Sequence, residues 1–329
     1  MRSQRLSFAL DTGALVLPPQ GAIAVYRPRA GDDLSALPQD RVIIITGLRP
    51  DHDWFAQRGY TVQSGTGGPY AAALVCLPRA KALARALLAQ AAVEVVPGGP
   101  VIVDGQKTDG VDAVLKDLRT LVPLSQAIAK AHGKIAVFPA GPALADWAAR
   151  PTVVEGGFTT LPGVFSADGP DRGSALLVAA LPPELPGRVA DLGAGWGYLT
   201  AAILARKGVK EVHLIEAEAD ALTCARINVT DDRARFHWAD ATTFKPERVY
   251  EAVVMNPPFH SAREADPQLG LAFIAAAHRM LVPNGTLWLV ANRHLPYDRA
   301  LAPLFREVVE VGGDTGFRVI RATHPIRAR

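Results

Sequence analysis

Between residues 188 and 323 the chain alternates short apolar runs with amphipathic stretches, and few folds accept that order. Apolar runs bounded by turn residues and separated by helix-period segments build parallel α/β sheets, because the chain must return through a crossover before the next parallel strand. Residues 188–192, 211–216, 234–238, 251–255 and 286–290 read as strands. Helical patterns over 198–207, 217–229 and 269–281 lie between them, the first stopped by Gly208 and the last by Pro283-Asn284-Gly285. Residues 306–311 and 317–323 flank Gly312-Gly313-Asp314-Thr315-Gly316 and read as an antiparallel hairpin closing the sheet edge. The expected sheet is seven-stranded.

The first half repeats part of this grammar. Residues 72–77 form an apolar strand ending in Leu77-Pro78-Arg79, followed by an Ala/Leu/Arg-rich helix, Pro97-Gly98-Gly99 and a strand over 100–103. The segment from Val253 through Asn256-Pro257-Pro258 to residue 290 matches it piece for piece, which points to an internal duplication. The first copy lacks the chemistry of the second. Its early strand, 42–46, runs into Gly47-Leu48-Arg49-Pro50 instead of a glycine-rich turn, and it has no Asn-Pro-Pro. The Pro/Gly/Ala-rich stretch over 139–157 reads as the linker, giving domains of 1–145 and 155–329.

Composition supports two folded domains. The 329 residues are 49% apolar and 20% charged, which excludes a disordered chain. A net charge of +3 suits a nucleic-acid partner but is too small to argue for one. Cys76 and Cys224 form no CxxC pair and lack clustered histidines, so neither a metal site nor a disulfide framework is expected. With no basic segment leading into a long apolar run, the expectation is a soluble cytoplasmic protein without membrane contact.

The turn Asp191-Leu192-Gly193-Ala194-Gly195-Trp196-Gly197 follows a strand and opens a helix. Its glycines let a ligand approach the backbone, and its GxGxG spacing differs from the GxGxxG of dinucleotide binding. A carboxylate directly before the turn meets an ammonium group, not a pyrophosphate. Glu216 ends the second strand, where a carboxylate accepts both hydroxyls of a ribose, and Asp240 ends the third, where it accepts from an adenine amino group. Three carboxylates at successive strand ends suit S-adenosylmethionine. Each alone reads more simply as a solvated strand end.

The fourth strand ends in Asn256-Pro257-Pro258-Phe259-His260. Asn-Pro is a common turn signal, yet here it also has a chemical use. The exocyclic amine of a base is a poor nucleophile because its lone pair is delocalised into the ring. The Asn256 side-chain oxygen and the Pro257 carbonyl can each accept one N–H and hold the nitrogen with its lone pair aimed at a methyl donor. Pro257 and Pro258 stiffen the loop, and Phe259 can stack on a flipped base. His260 reads chiefly as a packing residue.

Three segments together closely resemble the bacterial 16S rRNA guanine-N2 methyltransferases of the RsmC type. They are the stretch from Leu161-Pro162-Gly163-Val164-Phe165-Ser166 through Asp168-Gly169 and Asp171-Arg172-Gly173-Ser174, the Asn256-Pro257-Pro258-Phe259-His260 motif, and Asn292-Arg293-His294-Leu295-Pro296-Tyr297. The resemblance implies two tandem class I methyltransferase-like (Rossmann-like) domains from a duplication, the first without cofactor. It implies transfer from S-adenosylmethionine to the 2-amino group of a guanine in 16S rRNA or the assembled small subunit, with guanine 1207 as the family-type target. It places Asp191, Gly193, Ala194 and Gly195 at the methionine end of the cofactor, Glu216 and Ala217 at the ribose, and Asp240 and Ala241 at the adenine. Phe165, Asp171, Gly173 and Asn256 lie beside the cofactor, and Asn256, Pro257, Pro258 and Phe259 form the acceptor pocket. The chain departs from the family in its bulky Trp196 and in Ser261-Ala262-Arg263 after the histidine.

No aromatic RNA-binding strand or dense basic run is present in the sequence. The first half is expected to serve as an rRNA docking module and stabiliser, and a pseudo-dimeric chain is expected to be monomeric. Rival readings are an adenine-N6 or protein-glutamine methyltransferase, a nicotinamide dehydrogenase, and a catalytically inert RNA-binding protein.

Overall fold

The structure, a computed structural model, describes residues 2–258, 260–261, 264–265 and 267–327, the side chains of 260, 261, 264, 265 and 267 excepted. It divides into two compact units, residues 1–150 and 151–329. The first unit carries strands β1 (Ile23–Tyr26), β2 (Val42–Ile45), β3 (Thr61–Gln63), β4 (Ala72–Cys76), β5 (Pro100–Gln106), β6 (Ile128–Lys130) and β7 (Gly133–Pro139). Its helices are α1 (Arg2–Asp11), α2 (Arg49–Ala56), α3 (Lys81–Glu94) and α4 (Val111–Leu118).

The second unit carries β8 (Arg188–Leu192), β9 (Glu211–Glu216), β10 (Ala234–Trp238), β11 (Tyr250–Met255), β12 (Leu281–Asn292), β13 (Phe305–Gly313) and β14 (Phe317–Pro325). Its helices are α5 (Arg172–Ala180), α6 (Tyr198–Leu204), α7 (Ala219–Asn228), α8 (Pro267–Met280) and α9 (Tyr297–Leu301).

Among the described residues each unit holds one seven-stranded sheet, ordered β3-β2-β1-β4-β5-β7-β6 in the first and β10-β9-β8-β11-β12-β14-β13 in the second. The two orders are the same permutation, as a duplication requires. The inner strands pair in parallel, and β7 and β14 run antiparallel to β5 and β12. Each sheet reverses its strand order beside its central strand, between β1 and β4 and between β8 and β11. Open α/β sheets bind ligands in the crevice at that switch point.

Both faces of the second sheet are covered, which explains why its strands read as unbroken apolar runs. Ala190, Leu192, Val253, Met255, Leu287 and Leu289 are buried on one face with Ile274 and Ala277 of α8. Val189, Leu214, Val254 and Val290 are buried on the other with Leu177 of α5, Leu199 of α6 and Ala225 of α7.

Register places the chemistry on one face. Leu192 pairs with Met255, so Asp191 and the residue after Met255, Asn256, fall on the same side of the sheet. In the first unit Tyr26 pairs with Val75, so the same two positions are filled by Val25 and Cys76. Cys76 is buried, and burial pushes its thiol up to about 12. Beside it, Asp104 is fully buried and accepts from Arg2 Nη1 at 2.7 Å and from Arg5 Nε at 2.6 Å and Nη2 at 3.0 Å. The N-terminal turns of α1 thus close the end of the first sheet with ion pairs where the second sheet carries a polar cleft.

Three sequence expectations are adjusted. The helix from 198 ends at Leu204 instead of 207. Strand β12 runs through Pro283-Asn284-Gly285, and a register irregularity between Tyr250 and Ala252 absorbs the expected turn. The 139–157 stretch does not hang free. Residues Pro142–Trp147 form a 3-10 helix whose Leu144 is buried in the first core, with Trp147 beneath the Arg85 guanidinium.

Candidate active site

The site grows from the turn after β8. Gly193, Gly195 and Gly197 have φ of 72°, 55° and 93°, the left-handed region that only glycine enters without strain. A Cβ on Gly197 would meet Val229 at 2.9 Å, whereas one on Gly195 would meet nothing within 4 Å. Gly195 is therefore the open floor of the turn, and Gly197 is the point where α6 packs tightly.

The turn is braced by carboxylates and an indole. Gly195 N donates to Glu216 Oε2 at 2.8 Å and Glu218 N donates to Glu216 Oε1 at 2.7 Å. Each oxygen keeps a further lone pair, so Glu216 can still take a diol. Burial raises its pKa. Trp196 Nε1 donates to the Phe165 carbonyl at 3.0 Å, and its ring packs with Phe158, Val164, Ala221 and Cys224. The bulky residue in the turn is thus the anchor for the segment that precedes α5.

Asp191 lies beneath the turn, fully buried. Its Oδ2 accepts from Thr200 Oγ1 at 2.7 Å, and its Oδ1 is buried without a partner among the described residues. Burial pushes its carboxyl up to about 7. Asp240 lies two residues past the end of β10, its Oδ1 accepting from Thr242 N at 2.8 Å and Thr242 Oγ1 at 2.6 Å, which leaves Oδ2 available. The Ala217 carbonyl accepts from Trp238 Nε1 at 2.9 Å, and Ala241 is buried in the core under α8.

Asn256 stands at the end of β11. Its Nδ2 donates to Asp171 Oδ2 and to Ser174 Oγ, both at 2.9 Å. Asp171 is also the N-cap of α5, its Oδ2 accepting from Ser174 N at 2.8 Å. Gly173 allows the first turn of α5 to lie against β14, since a Cβ there would crowd Phe317 at 3.1 Å. Pro257 is buried and Pro258 exposed. Phe259 lies outside the described residues.

Phe165, Ser166, Asp171, Ser174, Gly193, Ala194, Gly195, Trp196, Tyr198, Leu199 and Asn256 line one cleft at the switch point. The structure therefore brings together Phe165, Asp171, Gly193, Ala194, Gly195 and Asn256 of the residues singled out by sequence. It leaves Asp191, Glu216, Ala217, Asp240 and Ala241 outside that lining, the first beneath the turn and the others along the ends of β9 and β10. Roomier hollows of about 460 Å³ beside Trp54 and about 450 Å³ beside Glu184 contain none of these residues. The chemistry marks the smaller cleft.

The fit to S-adenosylmethionine rests on three features of this chain: the open backbone at Gly195, the spare acceptors of Glu216 and Asp240, and the buried Asp191 carboxylate one residue before Leu192-Gly193. Sequence reading passed over Ser174 and Thr200. The spacing Asp171-x-x-Ser174 is a helix N-cap signal that points to the first, and no local pattern points to the second. Among the described residues no cluster of three or more metal-ligating side chains occurs, and no helix is long and apolar enough to cross a membrane. Both cysteines are free and buried.

Known proteins share this architecture. The family described as Methyltransferase small domain matches residues 155–321. The ribosomal RNA small subunit methyltransferase C of Shewanella loihica is 30% identical over 249 residues, covering 72% of this chain and 72% of that protein. That of Alteromonas mediterranea is 30% identical over 261 residues, covering 76% and 72%. The solved structure of the Thermus thermophilus 16S rRNA N2 G1207 methyltransferase (RsmC), in complex with AdoMet and guanosine, aligns with a TM-score of 0.79 at 24% identity. It covers 98% of this chain and 91% of that one. Across both units, the fold is the same.

Proposed function

Because the chain belongs to the ribosomal RNA small subunit methyltransferase C family, we propose that its second unit moves a methyl group from S-adenosylmethionine to the exocyclic 2-amino group of a guanine in 16S rRNA, with guanine 1207 as the target. The observation that carries this reading is Asn256. Both of its amide hydrogens are committed to Asp171 and Ser174, so Oδ1 is the atom left to meet an acceptor. An oxygen presented at that point selects a donor, as an amino group is.

Bound S-adenosylmethionine supplies an electrophilic methyl group. The residues of the chain supply position. The glycine turn and Glu216 hold the donor's backbone-facing and diol groups, and Asp240 takes the adenine end. Asn256 Oδ1 and the Pro257 carbonyl each accept one N–H of the guanine amine, drawing its lone pair out of conjugation and along the line of transfer. No strong base is needed. The methylated nitrogen is acidic and loses its proton to solvent.

The first unit is non-catalytic in this reading, since Val25 and Cys76 fill the register positions of Asp191 and Asn256. It serves as a docking body for RNA, and the substrate is 16S rRNA or the assembled small subunit. The test is methyl transfer from labelled S-adenosylmethionine to small subunits lacking guanine-N2 methylation, followed by nucleoside analysis, with Asn256→Ala as control. N2-methylguanosine whose formation slows by orders of magnitude in the variant supports the proposal. Label on adenine or on a protein glutamine overturns the guanine assignment.

A further inference from the structure

Asn256 is only useful to an amine if its amide points one way. Rotating the side chain by half a turn would offer NH2 in place of oxygen, which suits a carbonyl on the substrate and repels an amino group. Most asparagines at a strand end are free to choose. Asn256 is not, because Nδ2 meets a carboxylate oxygen of Asp171 at 2.9 Å and the Ser174 hydroxyl at 2.9 Å. The Asp171 oxygen that Asn256 meets already accepts from Ser174 N, so it serves as an acceptor here too, fixes the NH2 on its own side and leaves no amide hydrogen for the substrate. The flipped amide would set its oxygen against the Asp171 carboxylate.

The clamp is itself held. Asp171 Oδ2 accepts from Ser174 N at 2.8 Å as the N-cap of α5, and Ser174 is buried in the first turn of the same helix. One carboxylate oxygen therefore starts the helix and orients the asparagine. In the first unit the equivalent helix start meets the sheet through Arg2, Arg5 and Asp104, with a cysteine at the asparagine's position. A helix start packed on the strand end is common to both units, and the asparagine clamp is found in the second.

We propose that Asp171 and Ser174 are positioning residues that set the amide orientation of Asn256, and thereby make the site select an amino acceptor over an oxo group. The inference rests on the proposed function for the identity of the acceptor and on the hydrogen bonds alone for the clamp. Three variants of the full chain separate the roles of Asp171. Asp171→Asn keeps one side-chain oxygen for both bonds. Asp171→Ser keeps a helix cap but is too short to reach Asn256. Ser174→Ala removes only the second acceptor, at a position where alanine favours the helix.

Single-turnover methyl transfer should fall on the order of ten- to a hundredfold in Asp171→Ser, and less in Ser174→Ala, with S-adenosylmethionine affinity and Tm held. Asp171→Asn, which can still offer one oxygen to both bonds, should lose less than Asp171→Ser. In an Asn256→Ala background, Asp171→Ser should cost nothing further, because Asp171 acts through Asn256. The inference is overturned if the two losses multiply, or if Asp171→Ser weakens cofactor binding while the rate holds, which makes Asp171 a cofactor contact. The product nucleoside of the parent protein reports separately on the functional reading. If that product is not a guanine, the coupling is read on whichever acceptor is methylated.

Discussion

Cys76 occupies in the first sheet the register position that Asn256 holds in the second, one residue past the strand pair that Tyr26–Val75 and Leu192–Met255 form in turn. A thiol buried against Arg2 and Asp104 neither accepts an N–H from a substrate nor reaches solvent. The duplication kept the scaffold, and one unit kept the polar strand end.

Glu216 holds the glycine turn through Gly195 N and the start of α7 through Glu218 N, one to each oxygen. Glu216→Gln turns one acceptor into a donor facing a backbone N–H. The expected cost is about 1–3 kcal/mol, which appears as a ~10–100-fold weaker affinity for S-adenosylmethionine in calorimetric titration.

Asp191 gives a pH signature. Its folded carboxyl is raised by burial to about 7 from an ordinary 3.8, so the folded state holds its proton where the unfolded chain has lost it. That contribution to stability is fully present below pH 3.8 and is lost as pH rises through 7. Asp191→Asn removes the loss while Thr200 keeps an acceptor. The variant should match the parent near pH 4 and exceed it by a few kcal/mol, on the order of the shift, near pH 8 in denaturant titrations.

Asp104 is the buried partner of Arg2 and Arg5. Asp104→Ala strands a fully buried guanidinium at Arg5, and removing one side of such a pair costs about 3–5 kcal/mol. Chemical denaturation should show the first unit unfolding at lower denaturant, while S-adenosylmethionine binding by the folded protein is retained.

Trp196 is 4% exposed and anchors the Phe165 carbonyl. Trp196→Ala empties that packing, and a loss of about 3–5 kcal/mol is expected, read as a lowered Tm together with weakened cofactor binding.

The sheet order was legible because its strands are covered on both faces and its turns carry Gly and Pro at the strand ends. Strands 188–192, 211–216 and 234–238 have the bounds the apolar runs imply. The start of β12 was not legible, since Pro283-Asn284-Gly285 is a turn signal that sheet pairing overrides. Of the site, the glycine turn and Asn256 follow from local sequence. The bonds from Asn256 to Asp171 and Ser174 do not, because they span 85 and 82 positions and depend on α5 meeting the end of β11. Asp191 lies at the end of β8 as the apolar run implies, but its burial beneath the turn and its bond from Thr200 depend on how α6 packs and do not read from local sequence.

The reaction is tested most directly by mapping the methyl group in 16S rRNA after reacting the full chain with small subunits that lack guanine-N2 methylation, alongside Asn256→Ala. N2-methylguanosine should appear at the single position 1207 with the parent protein and form orders of magnitude more slowly with the variant. Methylation at the parent rate in Asn256→Ala, or methylation that falls on another base, contradicts this assignment.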